Sequence, residues 1–173
     1  MAQNYFELFG LEPSFNLDQA RLKSNYRKIQ SASHPDRFVT AAPAEKLKSM
    51  QLATLANEAY QTLKSPAHRA TYILTLQGIT AISETNTAMP TDFLMQQMEW
   101  REAIDDAKNN KNVHALDEVL AEIKAATNAL TASLLAEIDT QKNFEAATTS
   151  TRKLIFMDKL ISDINKVIEQ IEN

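Results

Sequence analysis

The sequence contains no cysteine and only two glycines among 173 residues. The lack of cysteine excludes disulfides, thiolate metal sites and cysteine nucleophilic chemistry. Because Gly10 and Gly78 are the only glycines, few sharp turns are available, and an all-β fold is disfavoured. Alanine, leucine, lysine, glutamine and glutamate are plentiful instead, and these residues favour helix. The composition therefore predicts an all-α protein, and we expect neither a cofactor nor a metal site.

Long apolar runs are also missing. The first residues, Met1-Ala2-Gln3-Asn4, lack the charged and apolar regions of a secretory signal. The longest uncharged stretch, residues 70–83, contains Thr, Gln and Gly and is too short and too polar to span a bilayer. We therefore expect a soluble cytoplasmic protein with no membrane partner.

The charge is distributed unevenly along the chain. Residues 1–76 carry nine Lys and Arg against six Asp and Glu, a net charge of +3. Residues 77–173 carry nine Lys and Arg against sixteen Asp and Glu, a net charge of −7. This split suggests two halves with different partners. The alternative is that two solvated surfaces differ in charge by accident.

The first half is predicted to contain two long antiparallel helices with short helices beside them. Asn4 is placed to cap a short helix that ends at Gly10. A basic helix follows over about residues 17–33, and its apolar stripe is Leu22, Tyr26, Ile29 and Ser33. A second long helix covers about residues 44–64, with an apolar stripe of Leu52, Leu55, Ala56, Ala59 and Leu63. Pro66 interrupts the chain, and residues 69–77 add a last short helix.

The tripeptide His34-Pro35-Asp36 lies between the two long helices. Proline lacks an N–H and pushes the residue before it out of the helical region, so the tripeptide must form a turn. By itself it is a weak signal, because the tripeptide arises by chance in about one per cent of chains of this length. Its context is a helix whose surface is made positive by Arg21, Lys23, Arg27 and Lys28.

The second half is predicted to be an antiparallel bundle of three helices, because three apolar-periodic segments are joined by short connections. Residues 80–90, rich in Thr, Ser and Ala, are interpreted as the linker before it. Thr91 or Asp92 caps the first helix, which runs to about Lys108. The second carries Leu116, Val119, Leu120, Ile123, Leu130, Leu134 and Ile138. After a turn or helix start at residues 146–150, the third carries Leu154, Met157, Leu160, Ile161, Ile164, Val167, Ile168 and Ile171.

The first of these three helices has two contrasting faces. At 100° per residue, one face collects Phe93, Trp100, Ile104 and Ala107, which should pack into the bundle. A roughly opposite face is apolar at one end and acidic at the other, with Leu94, Met95, Met98, Glu99, Glu102 and Asp106. Exposed Leu and Met beside carboxylates indicate a protein interface. The alternative is that Leu94, Met95 and Met98 are core residues of a helix buried on two sides, for example against the first domain.

These segments together resemble a known family. Tyr26-Arg27-Lys28, His34-Pro35-Asp36, the run Asn57 to Leu63 and the run Ser65 to Tyr72 are similar to a J-domain, as is the opening Tyr5 to Leu11. Residues 93–102 and 152–160 are similar to the C-terminal domain of the HscB family, the J-proteins of bacterial iron–sulfur cluster assembly. The resemblance covers nearly the whole chain. It departs at Ser33, where J-domains commonly have Tyr, and at Asp106, where the family often has Glu.

The resemblance implies a fold and a function. We expect an N-terminal J-domain (residues 1–77), a linker (78–90) and a C-terminal three-helix domain (91–173), joined in an L shape. The J-domain is expected to dock on a DnaK-type chaperone of the HscA kind and stimulate its ATP hydrolysis, through Lys23, Tyr26, Arg27, Lys28, His34, Pro35, Asp36 and Arg37. The C-terminal domain is expected to deliver an IscU-like iron–sulfur scaffold protein, bound by Leu94, Met95, Met98, Glu99, Glu102, Asp106 and Phe156.

Three other functions are weighed against this one. A J-domain adaptor for a different client has the same features and stays open. An enzyme using His34 and Asp36 lacks a nearby nucleophile or metal set, and His68 and His114 show no ligand spacing. Nucleic-acid binding is disfavoured because a net charge of +3 is weak for a phosphate-binding surface. We therefore expect a protein that is not an enzyme and binds no nucleic acid.

Overall fold

A computed structural model describes residues 3–83 and 87–173 of the chain. Met1, Ala2 and residues 84–86 of the predicted linker lie outside this described part. The described residues form seven α-helices, with bounds α1 Tyr5–Leu8, α2 Gln19–Ala32, α3 Pro43–Lys64, α4 Pro66–Leu76, α5 Thr91–Asn109, α6 Val113–Leu135 and α7 Phe144–Glu172. They belong to two compact units, Met1–Leu76 and Gln77–Asn173. The predicted all-α fold is confirmed.

The first unit is built on the α2–α3 hairpin, with α1 and α4 packed against α3. Its interior includes the buried side chains of Phe6, Phe15, Leu22, Ala56, Ala59, Leu63 and Leu74. Tyr26 of α2 stacks on Tyr60 of α3, with ring centroids 4.2 Å apart and the planes 1° from parallel. This pairing of aromatic rings fixes the two long helices face to face.

Local sequence accounts for where these helices begin. Asn4 and Glu7 form a capping box at α1, and the Asp18 carboxylate accepts a hydrogen bond from the Arg21 N–H at α2. The helix α4 begins at Pro66, three residues before its predicted start at Arg69. Proline is tolerated in a first helical turn because its missing N–H has no intrahelical partner there.

The apolar stripe predicted for α3 is only partly buried. Ala56, Ala59 and Leu63 have no exposed surface, as predicted, but Leu52 is 38% exposed and Leu55 is 40% exposed. The buried face of α3 is therefore narrower than the predicted stripe. Leu52 and Leu55 are therefore left at the edges of that face.

The second unit is a three-helix bundle in which α6 packs against both α5 and α7. Its core is formed by buried side chains from all three helices, namely Phe93, Trp100, Ile104, Ala107, Leu116, Leu120, Ile123, Met157, Leu160 and Ile164. The cap of α5 is Pro90, without a side-chain hydrogen bond, rather than Thr91 or Asp92. Residues 146–150 lie inside α7, which begins at Phe144 behind the cap Asn143.

One helical stretch, Val113–Thr140, is long and apolar enough by composition to cross a membrane. It comprises α6 and the π-helical turn Ala136–Thr140 that follows it. Its buried Leu116, Ile123 and Leu134 pack between α5 and α7, as the core helix of a bundle does. Only 17% of its most apolar window is buried, so packing within the unit accounts for part of its apolar character.

Candidate functional site

The basic side chains predicted for partner binding meet in one groove of the first unit. A groove of about 610 Å³ runs along α2 and reaches the turn beyond it. It is lined by four cationic side chains and four small ones, namely Lys23, Arg27, Lys28, Arg37, Ala20, Ser24, Ser31 and Ala32. The small residues let the groove form, and the cations give it a positive potential that attracts an acidic surface.

The turn His34-Pro35-Asp36 opens a short 3₁₀ helix, Pro35–Phe38. His34 caps it, because its Nδ1 atom accepts a hydrogen bond from the Asp36 N–H at 3.2 Å. Pro35 is the first residue of the 3₁₀ helix, where its fixed φ suits the geometry. The side chains of His34 and Asp36 are 59% and 89% exposed, so both are accessible to another protein.

Tyr26 differs from the other predicted contact residues because it is half-buried. Its ring is stacked on Tyr60, and its hydroxyl lies 3.1 Å from Asn57 Oδ1 and accepts a hydrogen bond from Gln30 Nε2 at 2.8 Å. Its contacts within the unit show that it joins α2 to α3. The cationic side chains of the groove are exposed, in contrast.

Ser33 lies directly before the turn and is 2% exposed. Its hydroxyl donates to the Ile29 carbonyl at 2.7 Å. A mostly apolar hollow of about 250 Å³ adjoins it, lined also by Phe38, Ser49 and Leu52. The small side chain of Ser33 leaves this hollow unfilled.

In the second unit, α5 presents the two faces predicted from its sequence. Phe93, Trp100, Ile104 and Ala107 are buried, which confirms the core face. On the other face, Leu94 is 44% exposed, Met95 is 59% exposed and Met98 is 69% exposed. Within this unit, these three side chains are therefore outside the core. Glu99, Glu102 and Asp106 are exposed as well, and they continue the same face.

Phe156 of α7 is the remaining residue predicted to bind the scaffold. It is half-buried and packs against the core of the bundle. Its neighbour Met157 is 2% exposed, so Phe156 marks the edge of the buried stripe of α7. A side chain at such an edge contributes to the core and still offers part of its ring to a partner.

Two residues with distinctive surroundings were not singled out from the sequence. Gln97 is 8% exposed on the core face of α5, and its Nε2 atom has no hydrogen-bond partner among the described residues. Arg152 is 7% exposed, and it donates hydrogen bonds to the carbonyl oxygens of Ala81 and Ala88. Neither could have been found from the periodicity of one helix, because burial of a polar residue depends on what packs against it.

The exposed turn and the two surfaces are suited to binding rather than to bond chemistry. His34 and Asp36 project from the turn, whereas a catalytic pair needs an enclosed site with converging polar groups. An all-α chain with a helical hairpin carrying His-Pro-Asp, followed by a helical bundle, has the architecture of the J-type co-chaperones.

Comparison with known proteins shows to which family of J-type co-chaperones the chain belongs. A family model described as "HSCB C-terminal oligomerisation domain" matches residues 89–165. The Co-chaperone protein HscB homolog of Burkholderia mallei is 46% identical over 173 residues, which are 100% of this chain and 98% of that protein. The chain belongs to the HscB family of co-chaperones.

Solved structures agree with this assignment. Chaperone HscB from Vibrio cholerae has a TM-score of 0.85 and 38% identity, covering 97% of this chain and 99% of that one. The human co-chaperone protein HscB has a TM-score of 0.88 and 30% identity, covering 95% of this chain and 81% of that one. These relatives are named chaperones or co-chaperones, not enzymes. The chain is accordingly a J-type co-chaperone of a DnaK-type chaperone.

Proposed function

We propose that the chain stimulates the ATPase of an HscA-like chaperone in the cytoplasm and delivers an IscU-like scaffold protein to it for iron–sulfur cluster assembly and transfer. The observation that carries the proposal is the exposed apolar and acidic face of α5, in a chain that also holds the basic groove and the exposed Asp36. The first surface selects a cargo protein, and the second engages the ATPase.

The chaperone-binding end would work by electrostatic attraction followed by a specific contact. Lys23, Arg27, Lys28 and Arg37 favour approach to an acidic surface and raise the association rate. Asp36 is then placed to form a charge-assisted pair with an arginine of the chaperone. Pro35 limits the conformations of the turn, so that less entropy is lost on docking. Tyr26 supports this surface by holding α2 on α3.

The scaffold-binding end would combine apolar anchors with a charged rim. Leu94, Met95 and Met98 provide flexible apolar surface, and methionine adapts readily to an uneven partner. Glu99, Glu102 and Asp106 provide the acidic rim, which selects a basic patch on the scaffold. Phe156 adds an aromatic edge from α7. The cluster itself is cargo of the scaffold, since this chain has no cysteine to hold one.

The effect on the chaperone is coupling between sites rather than catalysis by this chain. Binding of the J-domain favours the conformation of the chaperone that hydrolyses ATP. The chaperone therefore hydrolyses ATP faster when the J-domain is bound. Cargo bound to α5 is brought to the chaperone at the same time. Stimulation by the chain and scaffold together should therefore exceed that by either one alone.

The test is the steady-state ATPase rate of an HscA-like chaperone with the chain and an IscU-like scaffold, separately and together. Asp36→Asn should abolish most of the stimulation, whereas the matched control Glu12→Gln, also exposed in the first unit, should not. Equal stimulation by Asp36→Asn and the parent would refute the proposed mechanism. Normal stimulation without any binding of the scaffold would instead indicate a J-domain adaptor for a different client.

A further inference from the structure

The side-chain amide of Gln97 in α5 is buried without a hydrogen-bond partner. The residue is 8% exposed, and its Nε2 atom has no acceptor among the described residues. Nearly all buried polar groups in folded proteins are hydrogen-bonded, because an amide that leaves water without a new partner costs free energy. A donor that stays unpaired in the free chain is therefore available to an acceptor that arrives with a binding partner.

Gln97 lies at the border between the core face and the exposed face of α5. At 100° per residue, it is about 60° around the helix axis from the buried Trp100 on one side and about 60° from Leu94 on the other. Leu94 precedes it by three residues, so the two side chains are neighbours on the helix surface. Since Leu94 is 44% exposed, a protein docked on this face comes within reach of the Gln97 side chain. Rotation about the side-chain torsions of a glutamine turns its amide outward without a movement of the helix.

The charge around Gln97 decides which acceptor fits. Its Nε2 atom is a donor, so the partner group must be an oxygen acceptor. Glu99, Glu102 and Asp106 are exposed on the same face as Leu94, and their negative charges repel a carboxylate. A neutral carbonyl oxygen, from the backbone or from an Asn or Gln side chain, is not repelled in this way. Because apolar contact around it excludes water, such a hydrogen bond is electrostatically stronger than the same bond in water.

We propose that Gln97 is a specificity-determining residue of the scaffold-binding face, and that its amide donates a hydrogen bond to a neutral carbonyl oxygen of the bound scaffold. This inference rests on the proposed function. The apolar side chains of the face supply contact area without direction, whereas a hydrogen bond fixes the position of one scaffold group. A protein that offers an apolar group at that position leaves the Gln97 amide unpaired and binds more weakly.

The direct test compares scaffold binding by Gln97→Met with binding by the matched control Gln96→Met, measured by isothermal titration calorimetry with an IscU-like scaffold. Methionine keeps the length of the side chain and removes the amide. Gln96 is the adjacent residue of the same type, but it lies about 160° from Leu94 around the helix axis. Gln97→Met should raise the Kd about tenfold, and Gln96→Met should change it by less than about twofold.

The alternative is that Gln97 only fills space in the bundle. In that case Gln97→Met should bind the scaffold as tightly as the parent or more tightly, because methionine adds adaptable apolar surface beside Leu94. Equal or tighter binding would therefore overturn the proposal. Urea denaturation of the same variants shows whether the bundle is intact, and weaker binding by a folded Gln97→Met chain supports the hydrogen bond.

A second measurement uses the parent chain without any substitution. The side-chain NH₂ of Gln97 in isotope-labelled chain is followed by NMR while unlabelled scaffold is added. One of its two protons should move downfield on gaining a hydrogen bond, and the NH₂ protons of Gln96 should not. An unchanged Gln97 signal at saturation would overturn the proposal even where Gln97→Met fails to fold.

The two levels of the argument fail in different ways. Absence of any scaffold binding by the parent would overturn the proposed function and this inference with it. Binding that is weakened by Leu94→Ala with Met98→Ala but not by Gln97→Met would overturn this inference alone.

Discussion

The Nδ1 atom of His34 accepts a hydrogen bond from the backbone N–H of Asp36, with the two nitrogens 3.2 Å apart. Nδ1 therefore faces the backbone at the start of the 3₁₀ helix, and the ring of His34 caps that helix. The Asp36 carboxylate oxygen Oδ2 lies 3.6 Å from the same Nδ1 atom, and the Asp36 side chain is 89% exposed. His34 therefore orients the backbone at Asp36 and leaves its carboxylate available to a partner's cation.

This relationship predicts that His34 and Asp36 act as one unit. His34→Ala and Asp36→Asn should each lower stimulation of the chaperone ATPase by about tenfold or more, and the double variant should be no worse than about twofold below either single variant. The ATPase rates of all three variants give the coupling energy. His68→Ala, which removes another exposed histidine of the same unit, is the control. Independent, multiplying effects would show that His34 does not act through Asp36.

We expect that removing cations from the basic groove slows association with the chaperone, and that the size of this effect depends on salt concentration. Lys23→Gln with Arg27→Gln should lower the rate of binding to the chaperone by about tenfold at low ionic strength, because two of the four cations of the groove are removed. The difference should shrink above about 0.2 M salt, where screening is strong. Stopped-flow binding measures this, with Lys166→Gln on α7 as the control for net charge. A defect confined to the dissociation rate would contradict electrostatic steering.

The exposed face of α5 predicts a binding defect without a folding defect. Leu94→Ala with Met98→Ala should weaken scaffold binding by about tenfold to a hundredfold, because both side chains are apolar anchors in the proposed interface. The free energy of unfolding should change by no more than about 0.5 kcal/mol, since both residues are exposed. Leu135→Ala, which removes a 39% exposed leucine elsewhere in the unit, should leave binding unchanged. Unfolding of the bundle would show that the α5 face is structural.

The sequence allowed the helices and the two faces of α5 to be predicted, because each depends on spacing within one helix. The exposure of Leu52 and Leu55 was not predicted, since the width of a buried face depends on how closely the neighbouring helices approach. The contacts of Arg152 were not predicted either. Its partners are the backbone carbonyls of Ala81 and Ala88, and backbone groups 64 or more residues away carry no side-chain signal in the sequence.

Gln97 is predicted to lower the stability of the second unit. Its side chain is 8% exposed on the core face of α5, and its Nε2 atom lacks a hydrogen-bond partner among the described residues. Burying an unsatisfied amide costs roughly 1–3 kcal/mol, so Gln97→Met, which has a similar length and no such donor, should raise the free energy of unfolding by about 1 kcal/mol. Urea denaturation measures the change. The control is Gln96→Met, at the neighbouring half-buried position. A lower free energy of unfolding in Gln97→Met than in the parent would contradict the prediction.

The raised pKa of Tyr5 is expected to make the protein less stable at alkaline pH. Its pKa is raised above 10.0, first by burial and then by the negative charge of Glu58, which also forms a hydrogen bond with it. Its ring stacks on Tyr72 with centroids 4.5 Å apart. Below pH 10 the phenol is protonated in both the folded and unfolded states, so its contribution is complete and independent of pH.

As the pH rises above 10, the unfolded chain releases the Tyr5 proton first, and the free energy of unfolding falls until the folded state is also deprotonated. Tyr5→Phe keeps the stacked ring and removes the titration, so the variant should lose less stability than the parent as the pH rises above 10. Urea denaturation at a series of pH values gives both slopes, and absorbance near 295 nm follows the phenolate. Identical slopes for the two proteins would show that Tyr5 does not contribute to alkaline unfolding.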